Sequence, residues 1–176
     1  KKKKIVLKHP PKKFETYHDE IEYLISHEQR NKFITNLALD LKGNTLILYS
    51  RVQTHGAILY DKINNSKQNN RKIFFVHGGV DAEQRELIRE ITENENNAII
   101  VASYGTFSTG INIKRLHNVI FASPSKSRVR NLQSIGRVLR KGKDKVKAIL
   151  YDIGDDCTYN SNKNYTLNHL IVFFFF

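Results

Sequence analysis

Apolar residues along the chain fall into two alternating patterns. Short continuous runs stand at Thr45 to Tyr49, Ile73 to Val76, Ala98 to Ala102, Val119 to Ala122 and Val146 to Tyr151. Each has the length and make-up of a buried strand. Between them, apolar positions recur at helical spacing, as at Phe33, Ile34, Leu37, Ala38 and Leu41. Ser26-x-x-Gln29 resembles a capping box that opens this helix, and Gly43 is placed to stop it. Val52 to Ile63 and Lys126 to Leu139 read as further helices, and Asp81-x-x-Gln84 caps another that runs to about Thr92. Residues 1 to 18, with Pro10-Pro11, read as an extended linker. Helices alternating with fully apolar strands predict the α/β class: a parallel sheet with helices on both faces, joined by right-handed crossovers. The order of strands in the sheet is not carried by the pattern. Ligands of such folds gather at the carboxyl ends of the strands, which singles out the loops after Tyr49, Val76, Ala102 and Ala122.

Composition narrows the class without changing that architecture. A chain of 176 residues, 40% hydrophobic and 26% charged, suits one globular domain with its own core. The formal net charge is +12, and it is unevenly placed. Residues 1 to 13 carry seven lysines and no acid, residues 14 to 111 have a net charge of −3, and residues 112 to 147 have a net charge of +10. A solvated tail accounts for the first block. A clustered positive face that meets phosphate is the reading of the last, with nucleic acid as the expected polyanion. One cysteine, Cys157, excludes a disulfide framework and a thiolate zinc site. The longest apolar run, Leu170 to Phe176, is too short to span a bilayer, so no membrane partner is expected and a cytoplasmic setting is. The chain contains no methionine and is expected to be a fragment of a longer protein.

Four segments carry candidate chemistry. Gln133, Gly136, Arg137 and Arg140 lie at i, i+3, i+4 and i+7, one stripe of a helix. Two guanidinium forks on such a stripe suit bidentate binding of phosphate; a solvated basic face with a packing glycine is the alternative that spacing leaves open. Ser103-Tyr-Gly-Thr106-Phe-Ser-Thr-Gly110-Ile-Asn112 is a loop dense in hydroxyls and glycines that can offer donors to phosphate oxygens; an ordinary Ser/Gly loop has the same composition. His77-Gly78-Gly79 permits a tight turn with close backbone approach, and Ser50-Arg51 follows its strand directly. The seven histidines show no metal-ligand spacing, and Asp152, Asp155 and Asp156 read as a solvated acidic loop, so no metal site is expected. The chain has no G-x-x-x-x-G-K-[ST] and no Asp-Glu pair after an apolar strand. If it meets a nucleoside triphosphate, the usual phosphate cradle and Mg²⁺ site lie elsewhere.

Taken in order, these segments resemble the second RecA-like lobe of superfamily 2 helicases. Ser50-Arg51 resembles motif IV. Val76-His77-Gly78-Gly79 with Gln84 and Arg85 resembles the hG…Q-x-x-R segment, Ala102 through Asn112 motif V, and Gln133-x-x-Gly136-Arg137-x-x-Arg140 motif VI. Arg30-Asn31-Lys32-Phe33-Ile34, Tyr104-Gly105-Thr106-Phe107 and Ile135 to Lys141 are similar to the recombination helicases of T-even-type bacteriophages.

The resemblance implies a RecA-like lobe over residues 19–156, preceded by a linker or tail, 1–18, and followed by an unassigned extension, 157–176. It implies that ATP and Mg²⁺ are held mainly by a first RecA-like lobe outside this chain, so that the chain alone is inactive. Arg137 and Arg140 would reach the γ-phosphate as arginine fingers. Gly110 and Asn112 would line the nucleotide side of the cleft, with Gln133 linking nucleotide to motif V; Asn112 stands where many relatives have Asp. Ser50, Arg51, His77, Gly78, Ser103 and Thr106 would touch the nucleic-acid backbone. The implied function is that of an ATP-dependent helicase or translocase which remodels branched DNA, single-stranded DNA or RNA–DNA hybrids in recombination and repair. Two other readings stand beside it: a basic nucleic-acid-binding module without an ATP role, and the second lobe of a restriction-type or remodeller-type translocase.

Overall fold

The computed structural model describes residues 2–66, 70–110, 113–124 and 148–157. They form a six-stranded, wholly parallel sheet: β1 (Lys2–Lys8), β2 (Thr45–Tyr49), β3 (Ile73–Val76), β4 (Ile99–Ser103), β5 (Asn118–Phe121) and β6 (Ile149–Asp156), in the spatial order β1-β6-β5-β2-β4-β3. The helices are α1 (Tyr17–Ser26), α2 (Glu28–Asp40), α3 (Ala57–Asn64), α4 (Ala82–Asn94) and α5 (Tyr104–Gly110), with a π-helical turn, Val52–Gly56, leading into α3.

Side chains of each central strand point alternately to two cores. Leu46, Leu48, Ile100, Ala102, Val119 and Phe121 pack on one face with Tyr104 and Phe107 of α5 and Ile88 of α4. Ile47, Tyr49, Ile99, Val101, Ile120 and Ala122 pack on the other with Ile34 and Ala38 of α2 and Leu59 and Ile63 of α3. Burial on both faces is why these strands read as continuous apolar runs.

Polar clamps fix the amino ends of the strands. The Arg71 guanidinium donates to the carbonyls of Ala38, Leu41, Gly43 and Asn97 at 2.7–2.9 Å. Asn44 Nδ2 faces the carbonyls of Thr92, Glu95 and Arg115 at 2.8–2.9 Å, and its Oδ1 accepts from Ala98 N at 2.9 Å. Gly43 holds the turn into β2 at φ +92°, a left-handed conformation that favours glycine.

Several elements differ from the sequence reading. Residues 2–8 are not linker but the edge strand β1, paired with β6 from Lys2↔Leu150 to Lys8↔Asp156. Ile5 and Leu7 face the second core while Lys3 lies over the Tyr151 ring at 5.5 Å, and lysine suits an edge that must not pair with other chains. Pro10-Pro11 does not end the contact, since Lys12 N donates to Cys157 O at 2.9 Å. Helix α1 was not expected; a Thr16–Asp19 capping box starts it. The cap of α2 is the His27 side chain rather than Ser26, whose hydroxyl donates back to the Glu22 and Tyr23 carbonyls. Asp81 does cap α4, accepting from Gln84 N at 2.7 Å.

Asp152 and Asp155 are not in a solvated loop. Both are buried in β6, and Arg30 grips Asp155 with two hydrogen bonds of 2.8 and 3.0 Å while His9 Nε2 lies 2.9 Å away. Burial pulls the Asp155 carboxyl upward, but Arg30 and His9 outweigh it and hold it below the ordinary range. Cys157 is buried too. Burial first, then Glu20, Asp155 and Asp156, push its thiol up to about 12, so it offers no thiolate near neutrality. The helix expected over Lys126 to Leu139 lies outside the described residues.

Candidate nucleic-acid interface

The carboxyl edge of the sheet brings four loops into one row. Tyr49 and Ser103 are register partners across β2 and β4, and Val76 and Ala102 across β3 and β4. The strand order β5-β2-β4-β3 therefore lines up Ser123, Ser50-Arg51, Ser103 to Thr106 and His77-Gly78 side by side. Six residues expected at nucleic acid, Ser50, Arg51, His77, Gly78, Ser103 and Thr106, lie along this row.

Each is held in a definite way. Arg51 Nη1 is 2.7 Å from Glu22 Oε1 of α1, and its Nη2 is 3.2 Å from His18 Nδ1. The pair is 39% and 40% exposed, so water reaches it and screens it. His77 Nδ1 accepts from Gly79 N at 3.1 Å, and Val80 N closes the turn onto His77 O at 3.0 Å. A side chain at Gly79 would press on the His77 ring, whereas space at Gly78 is open. Close approach is thus available at Gly78, on an exposed turn.

The segment after β4 differs from the hydroxyl-rich loop expected. It turns at once into α5. Ser103 Oγ accepts from Thr106 N at 3.2 Å and lies 2.7 Å from Thr106 Oγ1, which caps the first turn. Tyr104 and Phe107, at i and i+3, bury against the sheet and fix the helix there. Thr106 is buried and Ser103 partly so; the two hydroxyls meet each other. Gly110 closes α5, while Asn112, Gln133, Arg137 and Arg140 lie outside the described residues.

A buried polar chain lies beneath the row, and sequence reasoning missed it. Ser123 Oγ accepts from Ser50 N at 3.0 Å and contacts His55 Nδ1 at 2.7 Å; His55 Nε2 contacts Asn31 Oδ1 at 3.2 Å; Asn31 Nδ2 donates to Ile25 O at 2.7 Å. Burial above all, then the charge of Arg30, pushes His55 down to about 3, against a weaker upward pull from Asp155, so the ring is neutral. No spacing links residues 31, 55 and 123, so the only sequence signal was a histidine inside an otherwise helical segment. Among the described residues no group of His, Cys, Asp and Glu could hold a metal ion, and no helix is long and apolar enough to cross a membrane.

Comparison with known proteins places this geometry. The family model described as "Helicase conserved C-terminal domain" matches residues 21–142. The ATP-dependent DNA helicase UvsW of Enterobacteria phage T4 is 39% identical over 168 residues, 90% of this chain and 33% of that protein. The crystal structure of T4 UvsW superposes with a TM-score of 0.79 at 37% identity, covering 96% of this chain and 37% of the other. The C-terminal domain of the DEAD-box protein Dbp5 shares the fold at 17% identity, with a TM-score of 0.60 over 83% of this chain and 77% of that one. The sheet is that of a RecA-like helicase C-terminal lobe. The chain spans about a third of the length of the T4 relative.

Proposed function

This chain belongs to the family of helicase conserved C-terminal domains, and from that membership we propose that it is the second motor lobe of an ATP-dependent helicase. On this reading the row of loops at the carboxyl edge of the sheet grips a nucleic-acid backbone. The observation that carries it is the convergence of Ser50-Arg51, His77-Gly78 and Ser103-Thr106 from three neighbouring strands onto one edge. An exposed guanidinium, an open glycine turn and hydroxyls suit phosphate and sugar, which position a strand without reading its sequence. Net charge of +10 over residues 112 to 147 adds the attraction that such a partner needs.

A first RecA-like lobe holds ATP with Mg²⁺, and this lobe completes the cleft. Arg137 and Arg140 stabilise charge on the γ-phosphate, a role worth ~10³-fold or more in rate. Gly110, Asn112 and Gln133 face the nucleotide. The substrate is branched DNA or an RNA–DNA hybrid remodelled during recombination and repair; the likeness to UvsW supports this choice.

The test is ATP hydrolysis by the two-lobed protein, with and without branched DNA, comparing wild type with Arg140→Ala. Turnover is expected to fall by ~10²-fold or more with DNA affinity unchanged at one fixed salt concentration. Unchanged turnover with weakened DNA binding would make the arginine stripe a backbone contact instead, and the chain a binding module.

A further inference from the structure

Ser123 is fully buried, and it touches two of the candidate loops at once. Its Oγ holds the N–H of Ser50, its hydroxyl meets His55 on the π-helical turn, and its carbonyl accepts the Tyr104 hydroxyl at 3.2 Å. The direction of the bonds is fixed from the far end. Asn31 Nδ2 donates to Ile25 O, so Asn31 Oδ1 faces His55 Nε2 and that nitrogen carries the proton. His55 Nδ1 then has only a lone pair, and the Ser123 hydroxyl must donate to it. The Ser123 oxygen is left as acceptor for Ser50 N–H. Every donor in the chain has one acceptor, so a shift at Ser123 cannot be absorbed without losing a bond at the head of α5 or after β2.

We propose that Ser123 is a positioning residue that couples the nucleic-acid loops to the segment bearing Gln133, Arg137 and Arg140, by tying Ser50 and Tyr104 to the point where the chain leaves β5. The inference rests on the motor reading above, because it needs two sites to couple. It adds to that reading a stated route: movement of the chain after β5 displaces the backbone beside Arg51 and the first residue of α5 together. Coupling of this kind is measured by a cycle of variants rather than by a single loss.

The experiment uses the two-lobed protein, with turnover measured without nucleic acid and with saturating single-stranded DNA, and DNA affinity measured at one salt concentration. The variants are Ser123→Ala, Tyr104→Phe and the pair together. Stimulation by DNA is expected to fall at least about fivefold in each single variant, and in the double by less than the product of the two. Unstimulated turnover and DNA affinity are expected to stay within about twofold. A structural clamp alone would lower the melting temperature and leave the stimulation ratio at its wild-type value, which overturns the proposal; so does full multiplicativity in the double variant. Tyr104→Phe removes a single hydroxyl and carries the test if Ser123→Ala does not fold. A wild-type protein without DNA-stimulated turnover overturns the motor reading itself, before any variant is compared.

Discussion

The Arg51 guanidinium sits against the Glu22 carboxylate at 2.7 Å, on the edge where a phosphate is proposed to lie. Both side chains are roughly two-fifths exposed, so the pair contributes about 0–1 kcal/mol to folding. A phosphate offers the same bidentate geometry with more charge, and can take the arginine from Glu22. Glu22→Gln is therefore expected to leave the melting temperature nearly unchanged and to tighten nucleic-acid binding a few-fold at low salt. The salt slope should steepen by about one unit, because one more cation is free to displace counterions. Fluorescence anisotropy across a salt series measures both. Equal affinity of wild type and variant at every salt concentration would remove Arg51 from the interface. At this scale the sequence showed only half of the arrangement. Ser50-Arg51 was visible because it ends an apolar strand, but its acidic partner lies on a helix 29 residues earlier, and no periodicity joins the two.

Elements buried on both faces were the most legible. β2, β4 and β5 are unbroken apolar runs, and each was recognised within one residue of its ends. The less legible elements owe their structure to contacts that periodicity cannot register. β1 is half lysine and becomes a strand because β6 offers it a partner. α5 looks like a loop by composition and becomes a helix because Tyr104 and Phe107 bury together. The π-helical turn before α3 shows the same dependence on tertiary contact. Gly56 N closes it on Arg51 O at 2.9 Å, and Gly56 packs directly on the face of the Tyr49 ring. Tyr49 is fully buried and its hydroxyl donates to Val76 O at 3.2 Å, so the ring cannot withdraw. Gly56→Ala drives a methyl into that ring and is expected to cost about 1–3 kcal/mol by overpacking. Urea denaturation of wild type and variant measures the loss. An unchanged midpoint would mean that the turn slides, and that the spacing between Arg51 and α3 is not set by this contact.

Across the whole molecule, the two buried polar clusters give stability the same dependence on pH. His55 is held neutral in the native state down to about 3, while in the unfolded chain a histidine takes a proton near ~6.5. Between those values the unfolded chain binds a proton that the native state does not, so stability falls as pH falls. His27 and His117 are also shifted down, each by burial first and then by neighbouring positive charge, and act with the same sign. Asp155 follows at lower pH. Its carboxyl is held below the ordinary range, so its contribution is complete above that range and is lost as pH falls through the depressed value. The protein is expected to be most stable from neutral pH upward and to lose stability steadily below about pH 6.5. His55→Leu isolates the largest of these contributions: the variant is less stable at neutral pH because Ser123 and Asn31 lose a partner. Its stability should also fall less steeply between about pH 6 and 4, by roughly 1.4 kcal/mol per pH unit, the value for one proton. Unfolding curves at half-unit pH intervals give both slopes. Equal slopes would mean that His55 titrates in the folded protein, which requires water to reach it, and the closed chain from Asn31 to Ser50 would then be open in solution. Repulsion from the net charge of +12 acts on wild type and variant alike, so the difference between the slopes reports on the buried histidine alone.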